Sequence, residues 1–512
     1  MFQHCPPGLR PSFGRGFSVG SNGFHAFLRE QLAGPDRRIA VLNDELAKIG
    51  ARGPAAVPLL IEAGQHYGLK HDHRTRLRYA VQAYECAVES RDRNAIMDAH
   101  VAVAVASCWT GDRLAANAHV EQVVRDVDVM DESDIGDRLP VLTELAWVEL
   151  QLQRLAAAEA HAGRALRAAE LAGKDVHATS CRLLLAKIAC ELGSLAEARR
   201  HSDHVGSNAE ENGDVFHAGL AELARGMIAM ESGDYEAARS HAERAQEAAC
   251  GYEHAAGVLA GLSMIRTGEV REGRDAVVEA GGGRLLPLVP VSTRAKVYGG
   301  LACAEASLSN GEEAVRWADL AMSSTWAGGI ERTRGHALLA RAEALLRSDP
   351  HAARVAACAA WEIFDGLEAD LGRAAASVLE GITRDAARDA IEREEALTRG
   401  ERMYRRAGAT AAADRIALAR VRSAESVDVP TDRPNPPTDC LSPRETEVAR
   451  LIAEGKTNRQ IATSLNITLN TVQVHVGRIL RKLRVESRAA VARLVTLAES
   501  ESIVLGAPVA GG

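Results

Sequence analysis

The residues with the most informative chemistry lie near the end of the chain, in the stretch TVQVHVGRILRKLRVESR at 471–488. Gln473 can donate and accept hydrogen bonds at an adenine edge, and Val474 can pack against a thymine methyl group. The guanidinium of Arg478 can reach a guanine or a phosphate. Side chains of these types, close together on a basic segment, predict contact with duplex DNA.

The spacing of apolar residues indicates which element carries these side chains. Val472, Val476, Ile479 and Leu483 recur at helical intervals, so one face of a helix over 469–483 is expected to pack on a core. A shorter helix, opened by a capping box, is expected just upstream. Two helices joined by about three residues, the second longer and basic, predict a helix-turn-helix that places its second helix in the major groove.

The outward side of this unit divides into two classes of candidate DNA contact. Base-edge candidates are Asn470, Gln473, Val474, Gly477 and Arg478. Phosphate candidates, which would position the protein without reading sequence, are Thr457, Asn458, Arg459, Thr468, Thr471, Arg481 and Lys482.

Charge is distributed unevenly along the chain. The whole sequence of 512 residues carries a net charge of -8, but residues 441–494 contain ten Lys or Arg against four Glu. That segment therefore has a charge of +6, and the remainder has a charge of -14. This asymmetry favours a small basic module that meets a polyanion and a larger acidic body with another task.

Ahead of the basic segment the sequence repeats. Turn signals separated by 35 to 43 residues, with room for a helix on each side, predict hairpin repeats that bury apolar faces against their neighbours. The 4% aromatic content and abundant Ala and Leu also favour helix over strand. The turns fall near Gly68, Gly111, Gln153, Gly193, Gly233, Gly268, Gly311 and Asp349. Small residues five positions past consecutive turns, which would let paired helices cross closely, are Ala116, Ala158, Ala198, Ala238 and Gly273.

These patterns predict an all-α protein, with an α-solenoid of helical hairpins of period about 40 followed by a four-helix DNA-binding domain. Four Pro residues between the two parts indicate an extended linker. The predicted segments are a disordered N-terminus at 1–23, the repeat body at 24–423, the linker at 424–440, the DNA-binding domain at 441–500 and a disordered tail at 501–512.

The stretch LSPRETEVARLIAEGKTNRQIATSLNITLNTVQVHVGRILRKLRVESRAAVARL, from 441 to 494, is similar to the LuxR-type (GerE-like) helix-turn-helix domain of bacterial transcription regulators. This resemblance implies that 458–477 form the helix-turn-helix and that the fourth helix mediates dimerisation on DNA. The family commonly has Lys where Gln473 stands, which implies a weaker attraction for phosphate and a changed base preference. Candidates for the dimer seam are Val491, Leu494 and Val495.

Two further resemblances concern the body. The unit at 224–245 resembles a tetratricopeptide repeat, although its period exceeds that family's 34 residues. A long helical-repeat body ahead of a LuxR-type domain also looks like the C-terminal part of large ATP-binding LuxR-type regulators. We expect their nucleotidase to be absent here, because the G-K-T at 455–457 lacks the leading Gly of a P-loop and has Arg450 in its place.

Other chemistry is not expected. His201 and His204 share a helix face without further ligands nearby, so a metal site is disfavoured. The nine Cys form no C-x-x-C pair and are expected to be reduced thiols. No apolar run is long enough for a bilayer span, no catalytic constellation or cofactor site is evident, and the five Trp are expected to anchor repeat packing.

The sequence therefore predicts a non-enzymatic, cytoplasmic transcription regulator. Its C-terminal domain is expected to bind double-stranded DNA as a homodimer, while the body receives a small-molecule or protein signal. The alternative is a protein-interaction scaffold with a weak or vestigial DNA-binding tail. Electrostatic DNA binding weakens steeply as salt rises, so salt dependence distinguishes the two hypotheses.

Overall fold

The Ala- and Leu-rich composition that favours helix is matched by helices throughout the described residues. This computed structural model describes residues 35–248, 251–325, 330–384, 388–425, 441, 443–465, 467–483, 485, 488, 491–492 and 495. Within those ranges every regular element is an α-helix, which confirms the predicted all-α class. None of these helices is both long and apolar enough to cross a bilayer. The predicted termini at 1–23 and 501–512, and the linker beyond 425, lie outside the described residues.

The chain divides into two compact units. One contains the residues up to Val148 together with His161–Cys181, and the other contains Glu149–Ala160 together with the residues from Arg182 onward. The helices that begin the described chain are α1 Pro35–Ile49, α2 Ala56–Leu69, α3 His73–Ser90, α4 Arg93–Thr110, α5 Arg113–Val127, α6 Glu132–Asp137, α7 Leu139–Gln151, α8 Leu155–Leu171 and α9 Asp175–Leu192.

Twelve more helices complete the body in the second unit. Each packs on the next, and α11, α13, α15, α17 and α19 also touch one another in succession, as expected for stacked hairpins. They are α10 Leu195–Glu211, α11 Val215–Ser232, α12 Tyr235–Glu247, α13 Glu253–Thr267, α14 Val270–Ala280, α15 Val291–Ser307, α16 Gly311–Ser323, α17 Glu331–Leu345, α18 Pro350–Gly366, α19 Asp370–Ile382, α20 Ala390–Ala407 and α21 Thr410–Glu425.

The predicted turns separate paired helices. Gly111 ends α4 with φ of 83°, and the next residue, Asp112, caps α5 by accepting a hydrogen bond from the backbone of Ala115 at 3.0 Å. Gly233 and Asp234 repeat this arrangement between α11 and α12. A left-handed Gly followed by a capping Asp therefore stops one helix and starts its partner within two residues.

Small residues lie where hairpin helices cross. Gly261 on α13 and Gly273 on α14 approach so closely that a Cβ on Gly261 would lie 2.7 Å from the carbonyl oxygen of Gly273. A Cβ on Gly273 would lie 2.6 Å from the carbonyl oxygen of Gly261. The other small residues predicted at these positions are fully buried: Ala116, Ala158, Ala198 and Ala238.

The described Trp side chains include packing anchors. Trp317 is buried and stacks on Tyr298, with 5.9 Å between ring centroids. Trp109 stacks on Trp147 at 6.1 Å. Trp326 lies outside the described residues. Stacked aromatic pairs of this kind join separate helices of the body through large contact areas, in agreement with the predicted role.

The last body helix does not pack only on its sequence neighbours. Ala409 and Ala412, at the start of α21, share an apolar cluster with Leu195 and Ile228 from repeats about 200 residues earlier. Helix α21 also contacts α11 directly. Pure nearest-neighbour stacking does not produce such a contact, so the end of the body is held by a distant part of the same unit.

Three helices follow the linker: α22 Pro443–Ala453, α23 Asn458–Ser464 and α24 Leu469–Lys482. They pack on one another in all three pairs. Their bounds agree with the predicted first helix, helix-turn-helix and recognition helix. The predicted fourth helix is represented by helical residues at 488, 491–492 and 495.

Candidate nucleic-acid interface

The apolar core of the C-terminal domain sets the orientation of α24. Val472 and Ile479 are fully buried, and Val476 and Leu483 pack against the same cluster at partial burial. This arrangement confirms the predicted stripe. Since the stripe fixes one side of the helix against the core, the opposite side must face outward. The fully or nearly fully buried members of the cluster are Leu441, Val448, Ala449, Ile452, Ile461, Val472, Ile479, Val491 and Val495.

The entry to α23 is shaped by a turn and a capping box. Gly455 takes φ of 73° after α22, which only Gly adopts without strain. The hydroxyl of Thr457 then accepts from the backbone of Gln460 at 3.4 Å, while the Gln460 side chain accepts from the backbone of Thr457 at 2.8 Å. The predicted capping box is thereby confirmed. The hydroxyl of Thr457 therefore caps α23, in addition to its expected contact with phosphate.

Helix α24 also begins at a cap. The hydroxyl of Thr468 accepts from the backbone of Thr471 at 3.2 Å, and the two hydroxyl oxygens lie 2.7 Å apart. Thr468 is exposed and Thr471 is half-buried. The remaining N–H groups of a helix N-terminus carry partial positive charge and suit a phosphate oxygen. The cap thus places a polar, anion-compatible end beside the candidate base-reading face.

The described side chains of that face are exposed. Gln473, Gly477, Arg478 and Lys482 all lie on the solvent side of α24. A Cβ on Gly477 would meet no other atom within 4 Å, so the helix backbone is open to a ligand there. The side chains of Asn470, Val474 and Arg481, which were assigned to the same surface, lie outside the described residues.

Lys482 has an intramolecular partner that the sequence did not reveal. Its ammonium lies 2.6 Å from the carboxylate of Glu445 on α22, and that carboxylate side chain is only 4% exposed. The ion pair ties the end of α24 to α22. A buried carboxylate that loses a cationic partner is strongly destabilising, so Lys482 has a positioning role besides any phosphate contact.

Asn458 is likewise held from within the domain. Its side-chain oxygen accepts from the guanidinium of Arg488 at 2.6 Å, and the same guanidinium donates to the backbone carbonyl of Lys456. Asn458 is half-buried rather than freely exposed. The charge of Arg488 alone does not predict that this side chain holds the turn before α23.

Two cations among the candidate DNA contacts, one assigned to phosphate and one to a base edge, remain without an ion pair to any other residue in the described ranges. Arg459 on α23 and Arg478 on α24 are both exposed. Arg444, by contrast, bonds Glu447 at 2.6 Å and the carbonyl of Leu465 at 2.7 Å. Arg459 and Arg478 are therefore available for an external polyanion without breaking a contact inside the domain.

Two of the three candidates for the dimer seam lie in the core of their own domain. Val491 is 0% exposed and Val495 is 2% exposed, and both belong to the core cluster of their own domain. Leu494, the third candidate, lies outside the described residues.

Comparison with known proteins agrees with this geometry. Residues 439–495 match the family model for bacterial regulatory proteins of the luxR family, GerE. Residues 439–495 are a LuxR-family helix-turn-helix domain. The rest of the chain is outside that match, so the family assignment applies to this domain.

The LuxR-family domain has response-regulator relatives. A nitrate/nitrite response regulator protein homolog from Haemophilus influenzae is 52% identical over 54 residues, which are 10% of this chain and 26% of that protein. The nitrate/nitrite response regulator protein NarP of Escherichia coli is 48% identical over 54 residues, 10% of this chain and 25% of NarP. The transcriptional regulatory protein LiaR of Bacillus subtilis is 50% identical over 52 residues, 10% of this chain and 25% of LiaR.

The chain spans about a quarter of the length of these curated relatives, and only through the LuxR-family domain. The domain and its relatives support DNA-binding transcription regulation as the function of this end of the protein. The helical body has no counterpart in those alignments.

Proposed function

We propose that this protein regulates transcription by placing α24 in the major groove of promoter DNA. The observation that carries the proposal is the sidedness of α24, with Val472 and Ile479 buried and Gln473, Gly477 and Arg478 exposed. A helix fits the width of the major groove, and its outward polar side chains can then reach base edges. DNA binding requires the compartment that contains the chromosome, so we expect the protein to work in the bacterial cytoplasm. We also expect it to be a non-enzymatic regulator.

Within this proposal the candidate contacts have distinct tasks. Gln473 and Arg478 read base edges, together with Asn470, Val474 and the open backbone at Gly477. Arg459 is the primary phosphate cation, supported by the Thr468 and Thr471 end of α24, Thr457 and Arg481. Asn458 and Lys482 act mainly by holding the helices at the angle that DNA requires, because each is bonded inside the domain.

Two features of the proposal concern the whole chain. We propose that the protein binds DNA as a homodimer through a surface other than Val491 and Val495, since duplex half-sites favour two-fold binding. We also propose that the helical body receives the signal that controls DNA binding.

The proposal is tested by selecting fragments of the source genome that the full chain retains, then measuring affinity for them by fluorescence anisotropy. We expect log affinity to fall linearly with log salt, with a slope of about -0.9 for each phosphate neutralised. A higher affinity for the selected fragments than for random DNA supports the transcription-regulator hypothesis. Absence of DNA binding at low salt would refute it and favour the scaffold hypothesis.

A further inference from the structure

A polar cluster lies inside the second unit, away from the DNA-binding domain, on helices that are distant in sequence. Its members come from the C-terminal ends of α9 and α11 and the N-terminal halves of α15 and α17. All six side chains are half-buried. They are Lys187, Glu191, Glu231, Lys296, Arg332 and His336.

Lys296 joins the two carboxylates of the cluster. Its ammonium lies 3.3 Å from a carboxylate oxygen of Glu191 and 3.1 Å from one of Glu231. Glu191 and Lys296 are 105 positions apart in the sequence. These contacts raise the pKa of Lys296, although burial opposes the shift, and they keep the ammonium charged. Glu191 and Glu231 are therefore both paired with Lys296.

The other two cations have no carboxylate of their own. Lys187 makes no hydrogen bond or ion pair with another described residue, and Arg332 donates only to the backbone carbonyl of Glu191, at 3.3 Å. Three cations thus surround two carboxylates, which leaves an excess positive charge in a partly dehydrated place. Burial lowers the pKa of Lys187, and the neighbouring Lys296 lowers it further, so an anion from outside would stabilise the charged form of Lys187.

A neutral hydrogen-bonding group borders the same cluster. The Nε2 atom of His336 is buried and has no hydrogen-bond partner among the described residues. Burial lowers the pKa of His336, and the neighbouring Lys296 and Arg332 lower it further, so its imidazole is uncharged at neutral pH. An imidazole nitrogen without a partner can donate to or accept from a bound polar molecule.

We infer that this cluster, defined by Lys187, Lys296, Arg332 and His336, is a binding site for a small molecule that carries a carboxylate or phosphate group. The free ammonium and the under-used guanidinium hold the anion, and the imidazole contacts a neighbouring polar atom of the ligand. Arg332 still has donors free for the planar, paired contacts that such oxyanions favour.

The cluster lies close to the contact that holds α21, the last helix of the body. Two residues after Glu231, the carbonyl of Gly233 accepts from Arg415 of α21 at 2.8 Å, and that guanidinium lies 4.2 Å from the ring centroid of Tyr235. Helix α21 directly precedes the linker to the LuxR-family domain. An anion that redistributes the contacts of Glu231 therefore acts beside the point where α21 docks. This role as a signal rests on the proposed function, whereas anion binding itself does not.

The test is calorimetric titration of the full chain with sodium phosphate and, separately, with sodium succinate, at constant ionic strength and without DNA. We expect saturable binding of at least one anion, and the anion that binds identifies phosphate or carboxylate as the recognised group. Lys187→Gln and Arg332→Gln should each weaken that binding about tenfold, the size of one charged hydrogen bond. Arg271→Gln, which removes an exposed cation from α14, is the matched control and should leave it unchanged.

The outcomes separate the site from the regulator. No saturable binding of either anion, or binding that Lys187→Gln leaves intact in a folded protein, overturns the site. Lys187 is suited to this test because it has no described partner whose loss would unfold the chain. DNA affinity is then measured with and without the anion that binds: a changed affinity supports its role as signal, and an unchanged affinity in a protein that binds DNA overturns that role.

Discussion

The helical body and the LuxR-family domain are both all-α, but they achieve close packing differently. The body relies on Ala and Gly where helices cross, as at Gly261 and Gly273, so backbones lie almost in contact. The domain instead packs Val, Leu and Ile from short helices around a single core. The body therefore depends on the absence of side-chain atoms at crossings, and the domain depends on the presence of a few large ones.

The two regions also treat charge differently. Inside the second unit of the body, Lys296 is shared by two carboxylates. On α24 of the domain, Arg478 is exposed and pairs with no described residue. Paired charges in the body stabilise or specify its fold, whereas an unpaired surface cation contributes little to folding and remains available for DNA.

The largest expected difference between the domain and the body is the effect of Ile479→Ala, a substitution in the domain core. Removing most of a fully buried Ile side chain costs about 2–5 kcal/mol, which is enough to unfold a domain of this size. We expect loss of DNA binding, while circular dichroism still shows a folded body. Gln473→Ala, on the exposed side of the same helix, is the control and should leave the domain folded. Normal DNA binding by Ile479→Ala would show that α24 does not depend on this core.

The first unit of the body offers a test by pH. Burial raises the pKa of Glu144 to about 7, against the opposing effect of Arg76. In the unfolded chain the pKa of a Glu side chain is about 4.3. The protonated Glu144 carboxyl therefore contributes fully to the free energy of unfolding below that pH, and its contribution is lost as pH rises through 7. The expected loss between about pH 5 and pH 7 is about 2 kcal/mol.

Urea unfolding of the full chain at several pH values measures this effect. Glu144→Gln keeps the size of the side chain and removes its titration, so the unfolding midpoint should vary less with pH and should rise at pH 8. Identical pH profiles for the two proteins would contradict the assigned burial of Glu144.

The close helix crossing predicts a smaller loss for Gly261→Ala. The added Cβ would lie 2.7 Å from the carbonyl oxygen of Gly273 and 2.9 Å from the backbone nitrogen of Val277, so the helices must separate. We expect destabilisation of the body by about 1–3 kcal/mol, seen as a lower thermal midpoint.

Gly163→Ala is the matched control for that crossing. A Cβ there would meet only the end of the Arg167 side chain, at 3.6 Å. The replacement should be neutral or stabilising by up to about 1 kcal/mol, because Ala favours helix. Equal effects at the two glycines would show that the crossing of α13 and α14 is looser than the structure has it.

The smallest expected change is in binding rather than folding. Arg478→Ala should weaken affinity for the selected DNA about tenfold and relax the base preference at one position of the site, with the thermal midpoint of the protein unchanged. Arg200→Ala removes an exposed cation from the body, whose side chain is 76% exposed, and should alter neither quantity. A reduced midpoint for Arg478→Ala would mean that this side chain supports the domain instead of serving DNA.

Much of the domain was predictable because its signals are local. The capping box of Thr457 and Gln460 was read from spacing and is present in the structure. The apolar stripe of α24, and therefore its outward face, also followed from spacing. Val491 and Val495, two candidates for the dimer seam, lie in the core of their own domain. Helical periodicity does not predict this placement, because it shows that a residue is apolar without showing whether its own core or a partner covers it.

By itself, the sequence determined the helices, their caps and turns, and the side of α24 that faces solvent. Each of these depends on residues within a few positions of one another, where backbone hydrogen bonds and the 3.6-residue period act directly. Only the tertiary structure decided that Lys482 meets Glu445, that α21 returns to α11, and that Lys296 bridges Glu191 and Glu231. Those partners are far apart along the chain, and their pairing depends on how whole helices pack, which no local pattern encodes.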